Sequence, residues 1–155
     1  MTIIFERKPK PLNILFLGGT GFIGPHMVKQ AVANGHNVTL FNRGKRNKNL
    51  FPDLELLVGD RDSKLDALKG RKFDAVVDTS GYVPRHVDDS SKMLADNTDH
   101  YLYISTVAVY DGFAKKGMDE SAPLATIEDE TIEEVTGETY GPLKALCEKM
   151  VLKNC

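Results

Sequence analysis

Residues 13–24, Asn13-Ile14-Leu15-Phe16-Leu17-Gly18-Gly19-Thr20-Gly21-Phe22-Ile23-Gly24, constrain what this chain can fold into more than any other stretch. Ile14, Leu15, Phe16 and Leu17 form an apolar run without polar alternation, the pattern of a central parallel strand covered on both faces. The run stops at glycines, after which Met27, Val28, Ala31 and Val32 recur at helical spacing until Asn34-Gly35 ends the helix. The spacing Gly-x-x-Gly-x-x-Gly assigns three tasks. Gly18 and Gly21 turn the backbone sharply and let a bound group approach, and Gly24 lets the helix pack close to the strand. The free N–H groups at the helix start then face an anion such as a pyrophosphate, with Thr20 in the turn and Phe22 and Ile23 as its apolar flank. A glycine triplet also occurs as a plain turn, so the rest of the chain must supply the context.

That context is an alternation of strands and helices. Further strands are expected at residues 37–42, 54–58, 73–78 and 101–105, with a short helix over 63–68 capped by Ser63 and a longer one over 85–95. The pattern predicts an α/β fold, a doubly wound parallel sheet of about five strands in the order 3-2-1-4-5 with right-handed crossovers. The chain has 155 residues, 41% hydrophobic and 27% charged, enough for one domain over residues 12–155 behind a basic leader at 1–11. A net charge of −2 gives no bulk electrostatic reason to expect a nucleic acid or a membrane surface as partner. The leader places Ile3-Ile4-Phe5 before Arg7-Lys8-Pro9-Lys10-Pro11, the wrong order for a signal peptide, and no apolar run is long enough to cross a bilayer. Cys147 and Cys155 are too few for a disulfide framework and read as thiols of a cytoplasmic protein.

Ligands of such sheets sit at the carboxyl ends of the strands, so those ends carry the functional reading. The second strand ends in Asn42, followed by Arg43-Gly44-Lys45-Arg46. A dinucleotide site usually has a carboxylate here for the ribose hydroxyls; an amide followed by a guanidinium instead suits a 2′-phosphate, which favours NADP and leaves NAD as the alternative. A solvated basic loop is the plainer account of the same residues. The third strand ends in Asp60-Arg61, where an acid could accept from an adenine amino group or simply make a turn. The fourth ends in Thr79-Ser80-Gly81, small residues that let a flat nucleotide lie close, with Gly81 equally readable as only a turn. Ser105 and Thr106 end the fifth strand in two hydroxyls. Tyr140 and Lys144, four residues apart, share one face of a final helix. A phenol of pKa about 10 is scarcely ionised at neutral pH, and an ammonium about 5 Å away stabilises its anion by roughly 3 kcal/mol, enough to make Tyr140 an acid–base group.

In this order the glycines at 18–24, Asp60, Ser105-Thr106-Val107-Ala108-Val109-Tyr110 and Tyr140-Gly141-Pro142-Leu143-Lys144 resemble the short-chain dehydrogenase/reductase superfamily, in its extended NAD-dependent epimerase/dehydratase branch, from about Leu12 onward. The resemblance implies a Rossmann domain that binds a nicotinamide dinucleotide. It implies Tyr140 as acid–base, Lys144 as its partner and ribose ligand, and Thr106, beside Ser105, as the hydroxyl that holds the substrate oxygen. A sugar nucleotide is the implied substrate. Four positions depart from the family: Asn42 replaces the acid of NAD-using members, Leu143 stands where Ser or Thr is common, residues 111–139 form a long acidic segment, and the family's substrate domain lies outside these 155 residues. The expectation is therefore a nucleotide-binding half with little turnover of its own and an open sheet edge that favours homo-oligomers. A dinucleotide sensor or scaffold without catalysis, and an RNA-binding relative, are the competing functions.

Overall fold

The computed structural model describes residues 10–112 and 116–155. Its elements run β1 (Asn13–Leu17), α1 (Gly24–Ala33), β2 (Asn37–Asn42), β3 (Glu55–Val58), a 3-10 turn (Asp66–Leu68), β4 (Phe73–Asp78), α2 (Pro84–Ala95), β5 (Thr98–Tyr103), a second 3-10 turn (Val107–Val109) and α3 (Tyr140–Asn154). The strands form one sheet in the order β3-β2-β1-β4-β5, every neighbouring pair parallel, as the alternation predicted. β1 lies at the centre because both faces of its apolar run need cover. Leu15 and Leu17 join Phe41, Val76, Leu94, Leu65 and Leu68 in one core, on the face that meets α2. Ile14 and Phe16 join Val38, Leu40 and Val77 in the other, which is closed by Val28 and Ala31 of α1. α3 packs against α2 and the second 3-10 turn, and its start is set there: a Cβ on Gly141 would fall 2.2 Å from the Ala108 carbonyl oxygen.

Two local expectations fail for physical reasons. No helix spans 63–68: Asp60 and Lys64 exchange backbone hydrogen bonds of 3.1 and 3.0 Å, so the chain doubles back through Ser63 at φ 61 and only Asp66–Leu68 forms a 3-10 turn, with Leu65 and not Ser63 before it. The fifth strand starts earlier, at Thr98, and ends at Tyr103, before Ser105. Thr98, Asp99 and His100 lack an apolar pattern, yet β4 offers them partners from Phe73 onward, and an edge strand needs only one bonded side. β3 and α2 each shift by one residue at their starts, Pro84 taking the first helical position where its missing N–H costs nothing.

The face under the strand ends is held by a buried ion pair. Arg61 Nη1 donates to Asp78 Oδ1 at 2.5 Å, with the two side chains 9% and 0% exposed. Arg61 Nη2 also donates to Ser90 Oγ at 2.6 Å, Tyr101 donates to Asp78 Oδ2 at 3.0 Å, and the Ser80 N–H donates to Asp78 Oδ1 at 3.0 Å. The chain after β3, β4, α2 and β5 thus converge on one carboxylate. Burial opposes the charge on Arg61, and Asp78 overcomes it, holding the guanidinium above its ordinary pKa. Burial together with the Asp78 charge keeps the Tyr101 phenol protonated far above its ordinary range. Removing one partner leaves the other charge buried and alone, at a cost of about 3–5 kcal/mol. Arg61→Ala is accordingly expected to lower unfolding free energy by that amount in urea titrations. The double replacement Arg61→Met with Asp78→Leu should cost clearly less than the single, because no orphaned charge remains.

Candidate functional site

At the carboxyl ends of β1 to β4 lies a cleft of about 400 Å³, lined by the glycine turn, the start of the loop after β2, the exit of β3 and the exit of β4. The turn begins with the Gly18 N–H bonded to the Phe41 carbonyl at 2.9 Å. Its left-handed glycines are Gly18 at φ 101 and Gly19 at φ 82, whereas Gly21 needs no such conformation; of the spaced triplet only Gly18 takes a left-handed bend, with Gly19 beside it. A Cβ at Gly19 would press on Leu40, Val28 and Phe16. Gly24 has its expected close approach, since a Cβ there would lie 2.9 Å from the Gly19 backbone. Phe22 is 92% exposed and left-handed at φ 51, a costly conformation for a side chain of that size. No side chain caps α1 and no acid occupies its first turn, so no side-chain charge offsets the positive end of its dipole, although the Gly24 and His26 N–H groups are bonded to the Gly21 and Ile23 carbonyls.

The loop after β2 folds back onto this turn. Asn42 Nδ2 donates to the Gly18 carbonyl at 3.2 Å, and Asn42 Oδ1 accepts from the Gly44 N–H at 2.8 Å. Both ends of that amide are occupied within the protein, so Asn42 shapes the loop and leaves Arg43 and Lys45 to line the cleft. Asn47, left-handed at φ 48, donates from Nδ2 to the Thr20 carbonyl at 2.9 Å and brings Arg46 across Gly21.

The exits of β3 and β4 are less available than expected. Asp60 lines the cleft, its Oδ1 accepting from the Asp62 N–H at 3.2 Å. Arg61 also lines it, with its Nη atoms bonded to Asp78, Ser90 and the His86 carbonyl and its Nε buried without a partner. The Thr79 and Ser80 hydroxyls donate to the Leu17 carbonyl at 3.0 and 3.1 Å, and Thr79 Oγ1 accepts from the Gly19 N–H, so they stitch β4 to the glycine turn. Gly81 lies outside the lining, and a Cβ there would sit 2.6 Å from the Tyr103 ring and 2.8 Å from Val87. Ile23 and Gly24 lie outside the lining as well.

At the far end, Lys144 is 3% exposed and donates from Nζ to the carbonyls of Gly81 at 2.9 Å and Ile104 at 2.7 Å. The ammonium stands 4.0 Å from the Tyr103 ring centroid and 5.4 Å from that of Tyr82, and burial draws its pKa below the ordinary lysine value. Tyr140 packs on Tyr82 with ring centroids 6.3 Å apart, and Tyr82 lines the cleft. Tyr140 and Lys144 thus both pack against Tyr82, a residue their spacing did not single out, and two of the ammonium hydrogens are directed at carbonyls. Thr106 Oγ1 accepts from the Ala108 N–H at 3.3 Å, and Ser105 Oγ is buried without a protein partner. In the acidic segment, Glu133 is tied to α2 by a two-pronged bond from Arg85 at 2.6 and 2.9 Å, and Arg85 reaches Asp62 as well.

The family model described as NAD dependent epimerase/dehydratase matches residues 14–153. The chain belongs to that family. Among curated relatives, it is 34% identical over 114 residues to the chloroplast stem-loop binding protein of 41 kDa b of Arabidopsis thaliana, covering 63% of this chain and 30% of that protein. It is 32% identical over 121 residues to the bifunctional UDP-glucose 4-epimerase and UDP-xylose 4-epimerase 1 of Pisum sativum, covering 66% and 33%. The fold is similar to that of the Bordetella bronchiseptica enzyme WbmG, solved in complex with NAD, at a TM-score of 0.75 and 16% identity over 94% of this chain and 51% of that one. The chain spans about a third of the length of the two curated relatives and about half of that solved structure. No helix among the described residues is long and apolar enough to cross a membrane.

The glycines of this epimerase/dehydratase turn separate by what surrounds them. A Cβ at Gly21 meets only the flexible end of Arg46, at 3.2 Å, whereas one at Gly24 meets backbone. Gly21→Val is expected to keep the parent melting temperature within a few degrees while abolishing dinucleotide binding by calorimetry. Gly24→Val should lower the melting temperature, because helix and turn must move apart.

Proposed function

We propose that this chain is the nicotinamide dinucleotide-binding portion of an NAD(P)-dependent epimerase/dehydratase or reductase whose substrate is a sugar nucleotide, with NADP preferred over NAD. The observation that carries the reading is the juxtaposition in one cleft of the left-handed Gly18-Gly19 turn, which leads into the uncapped α1, and a basic loop. The cleft fits such a group: its floor above Gly21 is open except for a movable arginine, and the end of β2 presents Arg43 with no carboxylate beside it. The sugar-nucleotide assignment is supported by the UDP-sugar 4-epimerase of pea and by the solved complex of WbmG with NAD and UDP.

In this reading the bound nicotinamide supplies hydride transfer, and the protein supplies position and proton movement. Tyr140 Oη exchanges a proton with the substrate hydroxyl. Lys144 fixes α3 against the Gly81 and Ile104 carbonyls and keeps its third ammonium hydrogen for the ribose or the phenol. Ser105 or Thr106 holds the substrate oxygen, and the unpartnered Ser105 Oγ is the freer of the two hydroxyls. Asp60 takes the adenine amino group. Asn42 acts through the loop it orders.

RNA binding is the second reading, favoured by the name of the Arabidopsis relative and by the exposed run of Arg43, Lys45, Arg46 and Lys48. It predicts a stem-loop RNA shift that NADP abolishes, because both ligands would use the same loop.

Calorimetric titration with NADP and NAD tests the main reading. NADP is expected to bind more tightly, and Arg43→Ala to weaken NADP by about 1–3 kcal/mol while leaving NAD unchanged. Equal or tighter NAD binding by the parent chain would overturn the preference. Any turnover of sugar nucleotides should be lost in Tyr140→Phe.

A further inference from the structure

We infer that Arg46 is a clamp on the bridging phosphates of the dinucleotide, so that the basic run after β2 contains two devices: Arg43 reads the ribose 2′-phosphate, and Arg46 holds the pyrophosphate. The inference rests on the dinucleotide reading above and deepens it.

Sequence proximity puts both arginines at the end of β2, beside the ribose. The fold separates them. Gly44, left-handed at φ 65 and bonded to Asn42 Oδ1, starts the reversal, and Asn47, left-handed at φ 48 and bonded to the Thr20 carbonyl, completes it. The reversal lays Arg46 along the glycine turn, with Nη1 3.2 Å and Cδ 3.6 Å from where a Gly21 Cβ would stand. Arg43 stays at the exit of the strand. Both line the cleft.

Charge separates these two from the other arginines. Among the described residues, Arg61 pairs with Asp78, Arg71 with Glu55, and Arg85 with Asp62 and Glu133. Arg43 and Arg46 have no carboxylate partner there. Arg46 moreover stands over the turn that leads into the amino end of α1, which has no acidic residue in its first turn and no side-chain cap. A guanidinium held beside the positive end of a helix dipole is unfavourable unless an anion lies between them. A diphosphate entering over Gly21 would be met by backbone N–H groups below and by the Arg46 fork above, the planar donor geometry that suits phosphate oxygens. Pinning the loop through Asn47 keeps that fork in place without fixing the side chain.

The assignment separates affinity from selectivity, and four probes resolve it on the 155-residue chain by calorimetry: NADP, NAD, ADP and adenosine 2′-monophosphate. Arg46→Ala is expected to weaken NADP, NAD and ADP by a common factor of about 10- to 100-fold, the range for a lost charge-assisted bond, and to leave adenosine 2′-monophosphate unchanged. Arg43→Ala should do the converse, weakening only NADP and adenosine 2′-monophosphate. Asn47→Ala should reproduce part of the Arg46 effect on the three diphosphates. Arg46 is exposed, so the melting temperature of Arg46→Ala should match the parent. Loss confined to the two ligands with a 2′-phosphate would make Arg46 a second ribose reader and overturn the clamp. So would unchanged affinity for all four in a parent chain that binds them. A parent chain that binds none of the four would remove the dinucleotide reading and the clamp together.

Discussion

The Asp78 carboxylate is the constraint on which the rest of this structure depends. A charge with no exposure at the end of a central strand is intolerable unless its oxygens are fully bonded, and here they accept from Arg61, the Ser80 backbone and Tyr101. Satisfying it dictates where the chain must go after β3, since Arg61 has to enter the fold from outside the sheet. The tight reversal between Asp60 and Lys64 delivers it, which is why that stretch cannot continue as a helix. Ser90 on α2 takes the other arm of the guanidinium, so helix and strand are registered by one side chain.

From Asp78 the constraint passes to the cleft. The residues that follow it are held one by one: Thr79 and Ser80 to the Leu17 carbonyl, Thr79 also to the Gly19 amide, and the Gly81 carbonyl to Lys144 and Tyr103. The glycine turn after β1 and the lysine of α3 are thereby two ends of one bonded path through three residues. A buried ammonium over two aromatic rings, with two carbonyls to satisfy, is a structural fixture as much as a chemical one. Its burial also explains why Tyr140 reaches the rim by stacking on Tyr82, the residue directly after that path.

How much of this could be read beforehand differs from residue to residue. The central strand, its glycine stop and the parallel order were legible because Ile14 to Leu17 and the glycines leave a chain few ways to bury apolar surface and still bend. Gly24 was legible for the same reason. The ion pair of Arg61 was not legible, because an arginine beside an acid at a strand end looks identical in sequence whether it faces solvent or pairs with Asp78, seventeen residues further on. That Tyr103 and Val87 occupy the place of a Gly81 side chain was not legible, since both lie elsewhere in the chain. Gly19 escaped notice because attention to a spaced triplet hides the adjacent pair that turns. Tyr82 and Asn47 carry no local signal; each matters for a partner distant in the chain, Tyr140 or Thr20.

The sequence by itself therefore determined the sheet order and the end of the sheet at which the cleft opens, since those follow from the period of apolar residues and from glycine's lack of a side chain, while the family was legible from the resemblance of its motifs. Tertiary structure decided which polar side chains are free. Asn42, Thr79, the Nη atoms of Arg61 and two of the three Lys144 ammonium hydrogens are bonded to neighbouring chain, while among the described residues Arg43 and Arg46 have no carboxylate partner and Arg61 Nε and Ser105 Oγ no hydrogen-bond partner. Hydrogen-bond commitment depends on what lies within about 3 Å in space. Neighbours at that distance come from strands and loops tens of residues apart, a relation that spacing along the chain does not encode.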